Sequence, residues 1–370
     1  MNDGDVELAT RILYGGHDHP YYIYTTGWRT DSAGVRALHY LCHSINSIGY
    51  RAFLVVPDSF SPESAINVKL NTPVLTKSLA RMHRKEAVNP IVIYSETIPG
   101  NPLKSEFTIR YLMNFAGALG GTLEFSKKDM IVSYSKSIAE DFYEASGRTV
   151  DFELFLPAID YREITFNQEP REDFYLLYAA KFRNFVGKPI EIPSIKVKEI
   201  RRDSPMAETR PELLHLLGKC KGVFSLENSS IITEAVLSGT PAYFVENSFL
   251  SKPIAEHELG WGGVGWNFSL EGEERAFATV KEGRDRYIQN VESYPRNLLR
   301  FIENSQSHFN GRSLNLNKEF PGQFKLFFLH KFSMSKQTLR KLGFKRFIRT
   351  TIRFISRRLP KVVNRGRNLD

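Results

Sequence analysis

The residues best suited to chemistry lie in one stretch, Gly222–Val245 (GVFSLENSSIITEAVLSGTPAYFV). A short apolar run ends at Leu226, and two carboxylates follow, Glu227 and Glu234, with Asn228, Ser229 and Ser230 after the first. Small polar residues ahead of an apolar helical pattern predict a strand–loop–helix turn, capped by Ser229 or Ser230. The amides of such a turn favour an anion such as a diphosphate. An ionised Glu234, one turn into the helix, has the acceptors to hold both hydroxyls of a ribose diol. The same spacing also fits two surface acids that only complement the helix dipole.

A second group lies at Ile91–Arg110 (IVIYSETIPGNPLKSEFTIR). The apolar run predicts a buried strand that delivers Glu96 to its carboxyl end. A tight Pro99-Gly100-Asn101-Pro102 loop follows, and then a helix starting near Ser105. Open α/β sheets gather functional groups at strand carboxyl ends, which makes Glu96 a candidate base, with Asn101 and Arg110 lining a cleft. The other reading is a Pro/Gly turn with Glu96 exposed. A third loop, Thr25–Gly34 (TTGWRTDSAG), contains Asp31 and Gly34. Asp31 could deprotonate a hydroxyl if burial raised its pKa, or simply cap the next helix. His39 and His43 sit four apart on that helix but lack a third ligand at metal spacing, so no metal is expected.

Elements that would position these groups are legible around them. Tyr21–Thr25, Ala52–Val56, Ile91–Tyr94 and Met130–Ser133 read as short buried parallel strands. Between the first two, Val35, Leu38, Leu41, Cys42, Ile45 and Ile48 fall at helical spacing over Ala33–Ile48, with Asp31 or Ser32 as N-cap and Gly49 at the other end. The polar segment Asp160–Asp173 reads as a linker. Strands at Phe174–Ala179, Ile195–Ile200, Gly222–Leu226 and Ala242–Val245 then alternate with helices over Pro211–Lys219 and Ser230–Ser238. This predicts an α/β protein of two doubly wound, Rossmann-like domains facing across a cleft, residues 1–165 and 170–310; one large open sheet is the competing layout. Gly260–Gly265 (GWGGVG) follows no convincing strand and reads as a cleft loop. No nucleophile elbow, P-loop or clean dinucleotide fingerprint occurs where a strand meets a helix, which removes the hydrolase and dehydrogenase classes.

The order strand, Glu, small polar residues, helix, Glu-Ala, Gly-x-Pro, strand resembles the donor-binding half of GT-B glycosyltransferases. The resemblance implies that Glu234 holds the nucleotide ribose and that Glu227, Asn228, Ser229 and Ser230 meet the diphosphate and sugar. The six residues between Glu227 and Glu234 differ from the seven of many retaining members, so retention or inversion stays open. Ala179-Ala180-Lys181-Phe182-Arg183 follows the first strand of the second half, where such enzymes place cations against the donor diphosphate. Lys181, Arg183 and Lys188 are the candidates for metal-independent transfer, and a solvated basic turn is their other reading. The Glu…Gly-Asn-Pro-Leu segment at Glu96 also resembles GT-B enzymes of bacterial surface-polysaccharide synthesis. It implies a role for Glu96 as base or sugar-hydroxyl contact, and the opening loop with Asp31 would face the acceptor.

Composition bounds the rest. The 370 residues are 42% hydrophobic and 25% charged, and Cys42 and Cys220 are the two cysteines. These values exclude a disordered chain and a disulfide scaffold and suit a reducing compartment. The acidic start, MNDGDVELAT, is unlike a secretory signal. The net charge of +9 is unevenly placed, since residues 323–370 hold 14 Lys and Arg against one acid. There Leu342, Phe344, Phe347, Ile348, Ile352, Ile355 and Leu359 form one helical stripe, with Arg349, Arg353 and Arg357 among the cations around it. A basic amphipathic helix of this kind suits an anionic membrane surface; protein docking and nucleic-acid binding are the other readings, and the apolar stripe argues against nucleic acid.

Taken together these features imply a glycosyltransferase on the cytoplasmic face of the plasma membrane. It would move a sugar from a nucleotide-sugar donor to a lipid-linked surface glycan without a cofactor. A non-catalytic glycan-assembly protein and a nucleotide-sugar epimerase are the competing classes.

Overall fold

The computed structural model describes residues 19–309, apart from 31, 57–64, 87, 116, 122, 168, 187–195 and 202–206. Asp31, Lys188 and the basic segment from 323 onward lie outside the described residues.

The short apolar runs form two parallel sheets. The first contains β1 (Tyr21–Tyr24), β2 (Ala52–Val55), β3 (Ile91–Ser95), β4 (Phe107–Leu112), β5 (Met130–Ser133) and β6 (Phe152–Glu153), in the order β2-β1-β3-β4-β5-β6. The second contains β7 (Glu172–Tyr178), β8 (Val197–Ile200), β9 (Cys220–Ser225), β10 (Ala242–Phe244) and β11 (Val264–Trp266), in the order β11-β10-β9-β7-β8. All pairings between these strands are parallel. Parallel strands covered on both faces need apolar side chains on both, and β1 shows why YYIY suits the position. Tyr21 and Ile23 enter one buried cluster, and Tyr22 and Tyr24 enter another. In each sheet the winding direction reverses beside the first strand, between β1 and β3 and between β7 and β9. A crevice forms at the carboxyl ends of strands at such a reversal, and this locates the site.

The helices are α1 (Ala33–Ser47), α2 (Lys77–Lys85), α3 (Lys136–Ser146), α4 (Ala180–Phe185), α5 (Arg210–Lys219), α6 (Ile231–Leu237), α7 (Ala255–Leu259) and α8 (Leu270–Phe309). Ser32 caps α1 by accepting the Val35 amide at 3.4 Å, and Gly49 just past its end has φ 88°. Both cysteines are buried and free.

Two sequence expectations need correction. The helix expected near Ser105 is strand β4, with all six residues buried. Arg110 disguises it, because a charge in FTIRYL reads as a surface position. Inside the fold that charge is neutralised by Asp129 at 2.8 Å and lies over the rings of Tyr94 and Phe125. The glycine-rich GWGGVG segment is not a cleft loop but the lead into edge strand β11, and it packs on α8. A Cβ on Gly262 would lie 2.3 Å from the Gly283 amide nitrogen, so two backbones cross there with no room for a side chain. The polar segment expected as a linker is held against the second half, since Arg171 donates to the carbonyls of Asn167 at 2.8 Å and Gly239 at 2.6 Å.

Helix α8, 40 residues long, has no counterpart in the sequence reading. Its buried positions Val280, Tyr287, Tyr294 and Phe301 recur every seven residues and hold one face inward along its length. It starts beside β11 and ends on the first sheet. There Ser305 Oγ meets Tyr21 OH at 2.6 Å, Gln306 Nε2 donates to His19 O at 2.9 Å, and Phe309 stacks on Phe107. Residues late in the second half of the chain thus supply part of the first sheet's cover.

Candidate functional site

The switch point of the second sheet carries the two glutamates singled out by spacing. Both are fully buried, so the surface-acid reading fails. Glu227 follows β9 and acts as the missing cap of α4. Ala179 has no side chain to cap with, and Glu227 Oε2 accepts the amides of Lys181 and Phe182, the latter at 3.1 Å. Its Oε1 lies 3.6 Å from Lys181 Nζ. Burial pushes the Glu227 carboxyl above its ordinary value, while Lys181 and the two amides pull it back. Lys181 Nζ also donates to Asn228 O at 3.1 Å. Asn228 in turn fixes the next loop, donating to Lys252 O and accepting from the Ile254 amide, both at 2.9 Å.

Glu234 lies in α6, a helix of seven residues whose expected serine cap is not used. Ser230 instead accepts from Arg36, with its Oγ 3.0 Å from Arg36 Nη2, and Ser229 contributes its carbonyl to the turn, accepting the Ile232 amide. The Glu234 carboxylate sits between two guanidinium groups. Arg36 Nη2 is 3.5 Å from Oε1, and Arg210 Nη1 is 3.0 Å from Oε2. Arg36 comes from α1 beside the first sheet and Arg210 from the start of α5, so the two halves of the chain meet at this carboxylate.

The first sheet brings Glu96 to the carboxyl end of β3, where it is 3% exposed. Its Oε2 accepts the Met113 amide at 3.1 Å. Burial raises its pKa to about 7, against the pull of that amide, its own amide and the Lys181 ammonium from across the cleft. A carboxyl near neutrality inside a cleft can take or give a proton at the pH of a cell. The exposed-turn reading of Glu96 therefore fails. The loop above it leaves no freedom, since a Cβ on Gly121 (φ 92°) would lie 1.9 Å from the Glu96 carbonyl oxygen.

Other expected site residues are placed elsewhere. Arg110 does not line a cleft; besides Asp129 it binds the carbonyls of Ile98, at 3.0 Å, and Gly100, and so fixes the loop that follows Glu96. Asn101 is exposed and staples that loop by accepting from Tyr94 OH and the Ser105 amide, both at 3.0 Å. Arg183 points away from the glutamates and forks onto Glu199 at 2.7 Å for each bond. Gly34 is half-buried, with Met113 Cε 3.6 Å from where its Cβ would be. His39 and His43 do not converge, since His39 Nε2 meets Thr26 O and His43 Nδ1 accepts the Asn71 amide.

Arg36, Arg210 and Glu258 escaped the sequence reading. A signal existed for the arginines: each stands in the first turn of its helix, where the dipole disfavours a cation. Glu258 had none, because it is an ordinary helical residue until Tyr134 and Thr233 donate to it, the former at 2.9 Å. Burial raises its pKa. Tyr134 follows β5, so this part-buried hydrogen bond also ties the two halves, as does the exposed pair of Lys252 and Asp141 at 3.1 Å.

No protein-family model matches the chain, and no curated protein matches it. Solved structures do resemble it. One is WaaG, a glycosyltransferase involved in lipopolysaccharide biosynthesis, at 12% identity and TM-score 0.41 over 88% of this chain and 100% of that one. Another is CalG4, the calicheamicin glycosyltransferase, at 13% identity and TM-score 0.41 over 80% and 100%. A glycosyltransferase from Rickettsia africae gives 10% identity and TM-score 0.43 over 79% and 100%.

Proposed function

We propose that this chain transfers a sugar from a nucleotide-sugar donor, bound against the second sheet, to an acceptor hydroxyl brought in beside Glu96. The observation that carries the reading is Glu234, a fully buried carboxylate at a switch point, held between arginines from both halves. A buried charge with two strong partners is expensive to keep, and a ribose diol is a ligand whose two donors match its two oxygens. Glu96, at about 7, is the base that takes the acceptor proton as the bond to the sugar forms and the nucleoside diphosphate leaves. The charge left on the departing diphosphate is met by protein cations rather than by a metal.

The chemistry fits a lipid-linked surface-glycan acceptor at the cytoplasmic face of the plasma membrane. Support comes from the basic apolar-striped segment 323–370, which would keep the enzyme near a lipid-borne substrate.

The donor reading is tested by calorimetry with nucleoside diphosphates. Glu234→Gln should weaken nucleotide binding by about 1–3 kcal/mol, the scale of hydrogen bonds to a charged group, with circular dichroism unchanged. Glutamine is preferred to alanine because it keeps a polar neighbour for both arginines. Unaltered affinity would remove Glu234 from the site. The membrane reading is tested by liposome sedimentation of the full chain. Phe347→Asp with Ile352→Asp should abolish pelleting with anionic vesicles, whereas binding through charge alone would survive the pair.

A further inference from the structure

We propose that Arg36 and Arg210 are the phosphate-binding pair of this cleft and clasp the diphosphate from opposite halves of the chain; that the diphosphate belongs to a nucleotide rests on the donor reading above. Of the cations expected for that task, Lys188 lies outside the described residues and the other two are engaged. Lys181 is bound to Asn228 O and paired with Glu227, and Arg183 is forked onto Glu199. Arg36 and Arg210 converge instead on one carboxylate, and the triad with Glu234 carries a net charge of +1. Its carboxylate is buried, with the Glu234 side chain 0%, the Arg36 side chain 11% and the Arg210 side chain 34% exposed. In such surroundings an excess positive charge attracts an anion far more strongly than it would in water.

Placement argues in the same direction. Arg36 lies in the first turn of the 15-residue α1, and Arg210 opens the 10-residue α5. A cation in a first turn opposes its own helix dipole, so helix stability does not account for either residue. Each side chain instead reaches away from its own helix to Glu234. A guanidinium fork matches phosphate oxygens two at a time, which an ammonium cannot do. The Arg36–Glu234 contact, at 3.5 Å, is the longer of the two, and Ser230 Oγ at 3.0 Å holds the same Nη2 in place. As ribose hydroxyls occupy the Glu234 oxygens, Arg36 can exchange that longer contact for a phosphate oxygen. Because Arg36 belongs to the first half and Arg210 to the second, a bound diphosphate would bridge the two.

Calorimetry on the full chain tests this with inorganic pyrophosphate and with paired nucleosides and nucleoside diphosphates of uracil, guanine and thymine. The wild type should bind pyrophosphate and favour each diphosphate that fits over its nucleoside. Arg36→Ala and Arg210→Ala should each cost pyrophosphate and diphosphate affinity at least tenfold more than they cost nucleoside affinity. Arg36→Lys should recover only part, since it restores charge without the fork. Arg210, a third exposed, keeps the test open if Arg36→Ala fails to fold. Wild-type protein that binds neither pyrophosphate nor any diphosphate overturns the proposal, as do variants that lose nucleoside and diphosphate alike. Pyrophosphate binding that depends on Arg36, with no gain from any nucleoside, supports the anion pair and removes the donor reading.

Discussion

Glu96→Gln is expected to lower the transfer rate by 10²–10⁴-fold, the range that a positioned base contributes, while nucleotide affinity stays within a factor of two. The glutamine keeps an oxygen for the Met113 amide but has no ionisable proton. Wild-type kcat/KM should fall about tenfold per pH unit below about 7 and level off above it, following the ionised fraction of Glu96. The variant should lose that limb along with the activity. Stability gives an independent check of the sign. The folded pKa of about 7 lies above the ordinary value of 4.5, so the folded state holds the proton more tightly than the unfolded one. Glu96 therefore lowers stability progressively as pH rises from about 4.5 through about 7, and Glu96→Gln should be relatively more stable at pH 8. A rate profile unchanged by the substitution would assign the proton transfer to another group.

Asp129→Ala should destabilise the fold by about 3–5 kcal/mol, the scale for removing one partner of a buried ion pair. Arg110 and Asp129 sit 2.8 Å apart with side chains 3% and 7% exposed. Without Asp129 the guanidinium keeps its contacts with the Ile98 and Gly100 carbonyls but loses its counter-charge. Replacing both residues by apolar ones of similar volume, as in Arg110→Met with Asp129→Leu, should restore much of the loss, because the desolvation penalty then disappears as well. Urea unfolding followed by circular dichroism measures both variants. A single-variant loss below about 1 kcal/mol would mean that Arg110 regains water, contrary to its burial. The double variant should still show reduced transfer, since Arg110 no longer ties down the loop after Glu96.

What the sequence determined by itself is local. Runs such as YYIY, IVIY and MIVS read as covered parallel strands, because β-branched and aromatic side chains at successive positions need cover on both faces. Spacing was enough to find α1 and to narrow its cap to Asp31 or Ser32, strand-end position was enough to select Glu96 and Glu227, and place in the helix with the resemblance selected Glu234. The roles of those residues were decided by tertiary structure. Nothing within Gly222–Val245 says that Glu227 turns back to cap α4, because the amides it accepts lie some 45 residues earlier. FTIRYL could not be read as a strand until Asp129 supplied the counter-charge from 19 residues away. Arg36 reaches Ser230 across 194 residues, and the Lys181 ammonium acts on Glu96 from the other half of the chain. A charge buried in a fold is tolerable only beside its partner, and where the partners are distant in sequence only the folded chain identifies them.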